Sequence, residues 1–156
     1  RDDGGEAHVG YIRHMSAKVQ LARLFDEMAD LLELQEANPF RVRAYRRAAQ
    51  AMEGLEDDLK ERAEADTLQE IPGIGKDLAA KIREFLESGD VDEHQELKEQ
   101  VPDILLEMTR IPGVGPKNAI KLHRELGVES LDQLESACRS GAVAELEHRL
   151  APYVAR

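Results

Sequence analysis

The sequence is poor in residues that define several classes of protein. It has one cysteine, Cys138, no tryptophan and only 4% aromatic residues. A single cysteine excludes an internal disulfide and a cysteine-based zinc cluster, and we interpret Cys138 as a buried or neutral thiol. No apolar run approaches the length that crosses a membrane, and no secretory signal is visible, so we expect a soluble, intracellular protein.

The sequence also lacks the two-residue alternation of β-strands. Its apolar residues, 42% of the chain, instead recur at helical spacing. A row formed by Phe40, Ala44, Ala48 and Met52, for example, predicts a helix over residues 40–53. We predict an all-α fold of two small helical bundles, residues 15–90 and 91–156, after a leader or tag at 1–14, with a last helix near 142–150.

Charge is unevenly distributed along the chain. The net charge of −11 by itself argues against a nucleic-acid partner, and acids dominate residues 53–70 and 84–107. The basic residues collect in three other segments: Arg41, Arg43, Arg46 and Arg47; Lys76, Lys81 and Arg83; Lys117, Lys121 and Arg124. A basic face on an acidic body is typical of proteins that bind a phosphate backbone.

A short motif occurs twice. Residues 71–82 read IPGIGKDLAAKI and residues 111–122 read IPGVGPKNAIKL, with six of twelve aligned positions identical. Each passes through a glycine corner and opens a helix, whose first amides have no partner within the helix and suit a phosphate. This pattern predicts two helix-hairpin-helix motifs; the alternative is a pair of corners that only pack. The predicted backbone contacts are Gly73, Ile74, Gly75, Lys76, Gly113, Val114, Gly115, Lys117 and Lys121, with Arg43, Arg46 and Arg47 beside them.

Catalytic patterns are scarce. Metalloprotease spacing, a nucleophile elbow and a Walker loop do not occur, and the histidines are scattered. Lys81 is the one candidate nucleophile: its amine could form a Schiff base with an abasic sugar and promote β-elimination, given positive charge from Arg41 and Lys76 to favour the neutral amine. The alternative is a solvated lysine or a simple phosphate contact. Main-chain carbonyls at corners of this shape are also possible ligands of a monovalent cation.

Three stretches in order, NPFRVRAYRRAA from Asn38, IPGIGKDLAAKI from Ile71 and IPGVGPKNAIKLHRELGV from Ile111, carry a family resemblance. Over roughly Met15 to Leu146 the chain resembles the amino-terminal part of family X DNA polymerases, the bacterial and archaeal branch above all. The resemblance implies a lyase-type domain with the first hairpin, followed by a DNA-binding thumb or fingers subdomain with the second.

The resemblance also implies roles for single residues. The first hairpin would hold the 5′-phosphate downstream of a gap and the second the primer strand upstream. Lys81 would be the Schiff-base lysine, with Tyr45 and Arg41 in its pocket. Na⁺ or K⁺ would bind the main-chain carbonyls of Gln69, Ile71, Ile74, Thr109, Ile111 and Val114. The expected partner is DNA with gaps, nicks or 5′-phosphate ends, bound by a monomer in the cytoplasm at the nucleoid.

The chain departs from the family pattern at two positions. Asp77 stands where lyase-active members commonly have a lysine, and Ala80 where they have a glutamate. The family's palm is expected to follow the second hairpin domain, whereas this chain ends at Arg156, so we expect no DNA polymerisation by it alone. Three hypotheses follow: a DNA-binding module of a repair polymerase, a deoxyribose-phosphate lyase acting through Lys81, and a protein-interaction scaffold whose hairpins only pack.

Overall fold

A computed structural model of the protein describes residues 15–146, and all regular structure in that part of the chain is helical, as predicted. The predicted leader at 1–14 and the part of the predicted last helix beyond Leu146 lie outside the described residues. Among the described helices, none is both long and apolar enough to cross a membrane. The helices are α1 (Ala17–Leu34), α2 (Pro39–Gly54), α3 (Leu59–Glu64), α4 (Lys76–Ser88), α5 (Asp92–Gln100), α6 (Asp103–Thr109), α7 (Pro116–Leu126) and α8 (Leu131–Arg139), with a one-turn 3₁₀ helix at Leu68–Glu70.

Helix α1 is the element on which the others assemble. Ser16 caps it by accepting a hydrogen bond from the Val19 amide at 3.4 Å. Its apolar residues follow helical spacing, and Leu21, Phe25 and Met28 are completely buried. Helix α1 packs mainly against α2 and also contacts α4, α5, α6 and α7. Both hairpins are therefore anchored to one helix, and the hydrophobic core is continuous between them. The predicted domain boundary at residues 90 and 91 stays a prediction.

Most helix ends follow local rules that the sequence shows. Pro116 occupies the first position of α7, where its missing N–H costs no helical hydrogen bond. Helix α3 begins at Leu59, and the Asp58 carboxylate caps it by accepting from two amides. The hydroxyl of Thr67 makes no capping bond, because it donates to the Arg62 carbonyl at 3.4 Å.

Two side chains lie elsewhere than the sequence suggested. Cys138 is exposed rather than buried, since Leu134 is the buried residue of α8. Phe40 begins the apolar row of α2 but is 75% exposed. The guanidinium of Arg43 lies over its ring, 4.6 Å from the ring centre, and covers one face of it. The first turn of α2 therefore presents an aromatic ring and a positive charge to solvent.

Candidate nucleic-acid interface

The first glycine corner is a tight turn between the 3₁₀ helix and α4. The amide of Ile74 donates to the carbonyl of Ile71 at 3.0 Å, which closes the turn. Gly73 lies inside it with a φ of +91°. Gly75 is extended and forms the N-cap of α4, and its carbonyl accepts from the Ala79 amide at 2.9 Å.

The second corner repeats this geometry between α6 and α7. The amide of Val114 donates to the carbonyl of Ile111 at 2.9 Å, and Gly113 has a φ of +87°. Gly115 forms the N-cap of α7, and its carbonyl accepts from the Ala119 amide at 3.0 Å. The repeated sequence motif therefore corresponds to a repeated backbone conformation.

Glycine is required in these corners by backbone angle and not by crowding. A φ near +90° is unfavourable for residues with a Cβ. A Cβ added at Gly113 would meet nothing within 4 Å, and one at Gly73 would make only an ordinary contact, 3.8 Å from the Arg47 carbonyl. Both glycines are exposed. The corners are therefore surface features rather than tightly packed joints within the chain.

The surface of each corner carries unused hydrogen-bond donors. Amides at the start of a helix point outward and lie at the positive end of the helix dipole. The second corner has one donor fewer, because Pro116 has no N–H. Within residues 15–146, no acceptor is paired with the amides of Gly73, Gly75, Lys76, Gly113, Gly115 and Lys117.

Five basic residues surround the corners without a carboxylate partner. Within the described part of the chain, no ion pair forms at Arg43, Arg47, Lys76, Lys117 or Lys121, which we call the basic strip. Arg47 lies against the first corner beside Gly73. Arg43 lines a cleft of about 710 Å³ together with Lys117 and Lys121 of α7. Helix α2 therefore connects the charges of the first hairpin to those of the second.

Arg46 does not join this strip, which corrects its prediction as a DNA contact. It faces α1, where its guanidinium lies 2.5 Å from Asp30 and 3.4 Å from Glu33 and donates to the Asp26 carbonyl at 3.0 Å. Burial raises the pKa of the Asp30 carboxyl, although the Arg46 hydrogen bond opposes that effect. Arg46 therefore joins α2 to α1 and has no charge left for a phosphate.

The structure brings together the three residues of the predicted lyase pocket. Lys81 is only 12% exposed, and its Nζ lies 3.0 Å from Asp77 Oδ2 and 3.0 Å from Glu93 Oε2. The hydroxyl of Tyr45 donates to the same Glu93 oxygen at 2.9 Å, and Arg41 pairs with the other oxygen. The groups nearest the Lys81 amine are thus two carboxylates. Of the two cations expected near this amine, Arg41 lies in the same cleft and pairs with Glu93, whereas Lys76 is not among the residues that line that cleft.

Tyr45 is held rigidly in this pocket. Its ring packs against Phe25 of α1, with ring centres 6.0 Å apart. Burial raises the pKa of the Tyr45 hydroxyl, while the charges of Lys81 and Arg41 act in the opposite direction. The hydroxyl therefore serves as a fixed neutral donor near neutral pH.

Comparison with known protein families agrees with this geometry. A helix-hairpin-helix domain family matches residues 16–91, and a SAM-like helix-hairpin-helix tandem family matches residues 105–148. The chain contains two helix-hairpin-helix domains. Over 129 residues, 83% of its length, it is 36% identical to the DNA polymerase/3′-5′ exonuclease PolX of Bacillus subtilis (strain 168). The match spans 22% of that relative's length and confirms the resemblance to family X DNA polymerases.

The main-chain carbonyls that were predicted to bind a monovalent cation lie at both helix-hairpin-helix corners. The carbonyls of Ile71 and Ile111 each accept one turn-closing hydrogen bond and keep a second lone pair. No amide of the described residues donates to the carbonyls of Gln69, Ile74, Thr109 and Val114. Neutral main-chain oxygens suit hard cations such as Na⁺ and K⁺. Clusters of histidine, cysteine and carboxylate side chains that could hold a metal ion are absent from residues 15–146.

Glu93 was not predicted as a member of the lyase-type pocket. It lies in the stretch 84–107 that acids dominate, 48 residues from Tyr45. Three donors in one pocket require an acceptor, which is a signal that an acid lies nearby. Nothing in the spacing of the acids distinguishes Glu93 from its neighbours.

Proposed function

We propose that the chain binds the sugar-phosphate backbone of DNA at gaps and nicks, without reading base sequence, as the DNA-binding part of a family X repair polymerase. The first helix-hairpin-helix domain holds the 5′-phosphate downstream of the gap, and the second holds the strand upstream. One chain binds one DNA end as a monomer.

The basic strip is the observation that supports this proposal most. Within residues 15–146, it places five cations that form no ion pair beside two corners with unused amides, on a chain whose net charge is −11. Phosphate oxygens are acceptors only and satisfy both kinds of donor. The likeness to a DNA polymerase over most of the chain points to the same ligand.

We also propose a monovalent cation at each corner, held by the carbonyls of residues 69, 71 and 74 and of residues 109, 111 and 114. Such an ion supplies positive charge next to a bound phosphate oxygen. At constant ionic strength, exchange of K⁺ for Li⁺ is then expected to weaken DNA binding. Equal affinities in K⁺, Na⁺ and Li⁺ would argue against the cation.

Binding to labelled duplexes tests the main proposal. If the five residues of the basic strip contact phosphates, log K should fall with log salt with a slope of about −4.5, a loss of about 10² to 10³ in affinity between roughly 50 and 200 mM salt. Affinity should be higher for a one-nucleotide gap with a 5′-phosphate than for an intact duplex, and independent of sequence. Absence of binding at low salt, or equal binding to gapped and intact duplexes, would contradict the proposal.

A lyase is a second candidate function, favoured by the convergence of Arg41, Tyr45 and Lys81. Schiff-base formation requires that the Lys81 amine gives up its proton, which either neighbouring carboxylate is placed to accept. The amine then attacks the sugar aldehyde, water leaves, and the imine promotes β-elimination.

Borohydride trapping tests the lyase. With a gapped duplex that carries a 5′-deoxyribose phosphate, we expect a covalent adduct in the unaltered chain and none in Lys81→Ala, because the variant lacks the amine. Lys60→Ala is the control: it removes an exposed lysine of α3, outside the basic strip, and should retain the adduct. Failure to trap the unaltered chain, or trapping that survives Lys81→Ala, rules out Lys81 as the nucleophile.

A further inference from the structure

One carboxylate occupies the centre of the lyase-type pocket. Glu93 is contacted by Arg41 through one oxygen and by Lys81 and Tyr45 through the other. These three residues come from α2 and α4, whereas Glu93 belongs to the first turn of α5. Arg41, Lys81 and Glu93 line a cleft of about 500 Å³, to which the exposed residues Glu96 and Gln100 also contribute.

An arginine, a lysine and a hydroxyl are the donors that bind a phosphate oxygen. In the structure, a carboxylate of the same chain satisfies all three. A phosphate entering this pocket would meet the charge of Glu93 and find its donors occupied. From this geometry we infer that Glu93 is an internal competitor: the 5′-phosphate of a DNA end must displace its side chain before Arg41, Tyr45 and Lys81 can bind it. This inference rests on the proposed function and adds its regulation.

Displacement of Glu93 from its three donors requires movement of its side chain and not of the whole of α5. The helix is fixed on both sides of this residue, because Val91, His94 and Leu97 are buried. His94 also pairs with Glu27 of α1, and this hydrogen bond lowers the pKa of the Glu27 carboxyl. The side chain of Glu93 itself is 21% exposed, so its displacement requires only a rotation of that side chain toward solvent.

The lysines of the second hairpin differ from Lys81 in this respect, although Glu36 and Glu125 line the same cleft. Lys117 and Lys121 form no ion pair within residues 15–146. DNA can therefore bind at the second hairpin without displacing a side chain. Binding of the 5′-phosphate at the first hairpin is weakened by the free energy needed to separate Glu93 from its donors. The unaltered chain should accordingly distinguish only weakly between phosphorylated and unphosphorylated 5′ ends.

The test compares gapped duplexes with a 5′-phosphate or a 5′-hydroxyl. For Glu93→Gln, which can still accept from Tyr45 but carries no charge, we expect the affinity ratio of phosphate to hydroxyl to rise about tenfold, or about 1.4 kcal/mol. Glu96→Gln is the matched control, because it removes one negative charge from the same cleft at a residue that forms no ion pair within residues 15–146. It should raise both affinities alike and leave the ratio unchanged.

An unchanged ratio in Glu93→Gln, or an equal rise of the ratio in Glu96→Gln, overturns the inference while leaving the proposed function intact. Absence of binding to both duplexes in every protein overturns both. Glu93→Asp provides a second variant should the glutamine variant fail to fold: its shorter side chain retains the charge but withdraws from the donors, and the ratio should again rise. If Glu93→Asp has the same affinity ratio as the unaltered chain, Glu93 does not compete with the phosphate through its contacts with the three donors.

Discussion

Replacement of Lys117 and Lys121 together by alanine is expected to lower the affinity for gapped DNA by about 100-fold at low salt. Both side chains line the cleft that Arg43 completes, and neither has a carboxylate partner in the described residues. Each phosphate contact removed reduces the counterions released on binding, so the slope of log K against log salt should become less steep by about 2. Binding isotherms across a series of salt concentrations measure both quantities.

A matched double variant separates contact from net charge. Lys60→Ala with Lys98→Ala also removes two exposed lysines, but from α3 and α5, away from both corners. We expect a small loss of affinity and an unchanged slope, because no phosphate contact is lost. Equal losses of affinity in the two double variants would show that the affinity for DNA depends only on the net charge of the chain. The second helix-hairpin-helix domain would then have no specific part in binding.

The two hairpins were predictable because their determinants are local. A positive φ at Gly73 and Gly113 and a proline at the start of α7 depend on neighbours in sequence. The same local rules end α4 at Gly89 and α7 at Gly127, which have positive φ. Thr67 precedes the 3₁₀ helix without capping it, because its hydroxyl donates to the Arg62 carbonyl, five residues earlier.

The sequence did not show which arginines of α2 form ion pairs with acids and which remain exposed to solvent. Arg43, Arg46 and Arg47 lie within one turn and a half of α2, and all were predicted to contact DNA. Only the packing of α2 on α1 shows that Arg46 faces three acids while the other two face solvent. Arg124 likewise forms a bidentate ion pair, with hydrogen bonds of 3.0 and 2.9 Å, with Glu36, which lies 88 residues earlier in the sequence. Tertiary ion pairs thus select which cations remain for DNA.

The same selection explains how an acidic chain can present a basic surface. Ion pairs neutralise Arg41, Arg46, Arg62, Arg83 and Arg124 with acids of the body. Among the cations of residues 15–146 that form no ion pair, the five of the basic strip lie beside the two glycine corners. The composition predicted the basic segments, but the surface depends on pairs between residues that helical packing brings together.

Phe25→Ala is expected to have the largest effect on stability, a loss of about 3 to 5 kcal/mol in the free energy of unfolding. Phe25 is completely buried in α1 and supports the ring of Tyr45. A small domain commonly has about 5 to 15 kcal/mol in all, so the variant should be close to unfolding. Denaturant titration measures the loss. Val19→Ala, at a residue that is 42% exposed on the same helix, should change stability by less than about 0.5 kcal/mol.

Phe25→Ala also tests whether the two helix-hairpin-helix domains unfold together. Helix α1 contacts α4 of the first hairpin and α7 of the second, and the core runs without a break between them. Loss of packing in α1 should therefore reduce amide-exchange protection in α4 and α7 by the same factor. If α7 keeps its protection while α4 loses it, the two domains are independent units, and the predicted boundary near residue 90 separates two cores. If both lose it, the DNA-binding surface depends on a single folding transition, because α1 supports both corners.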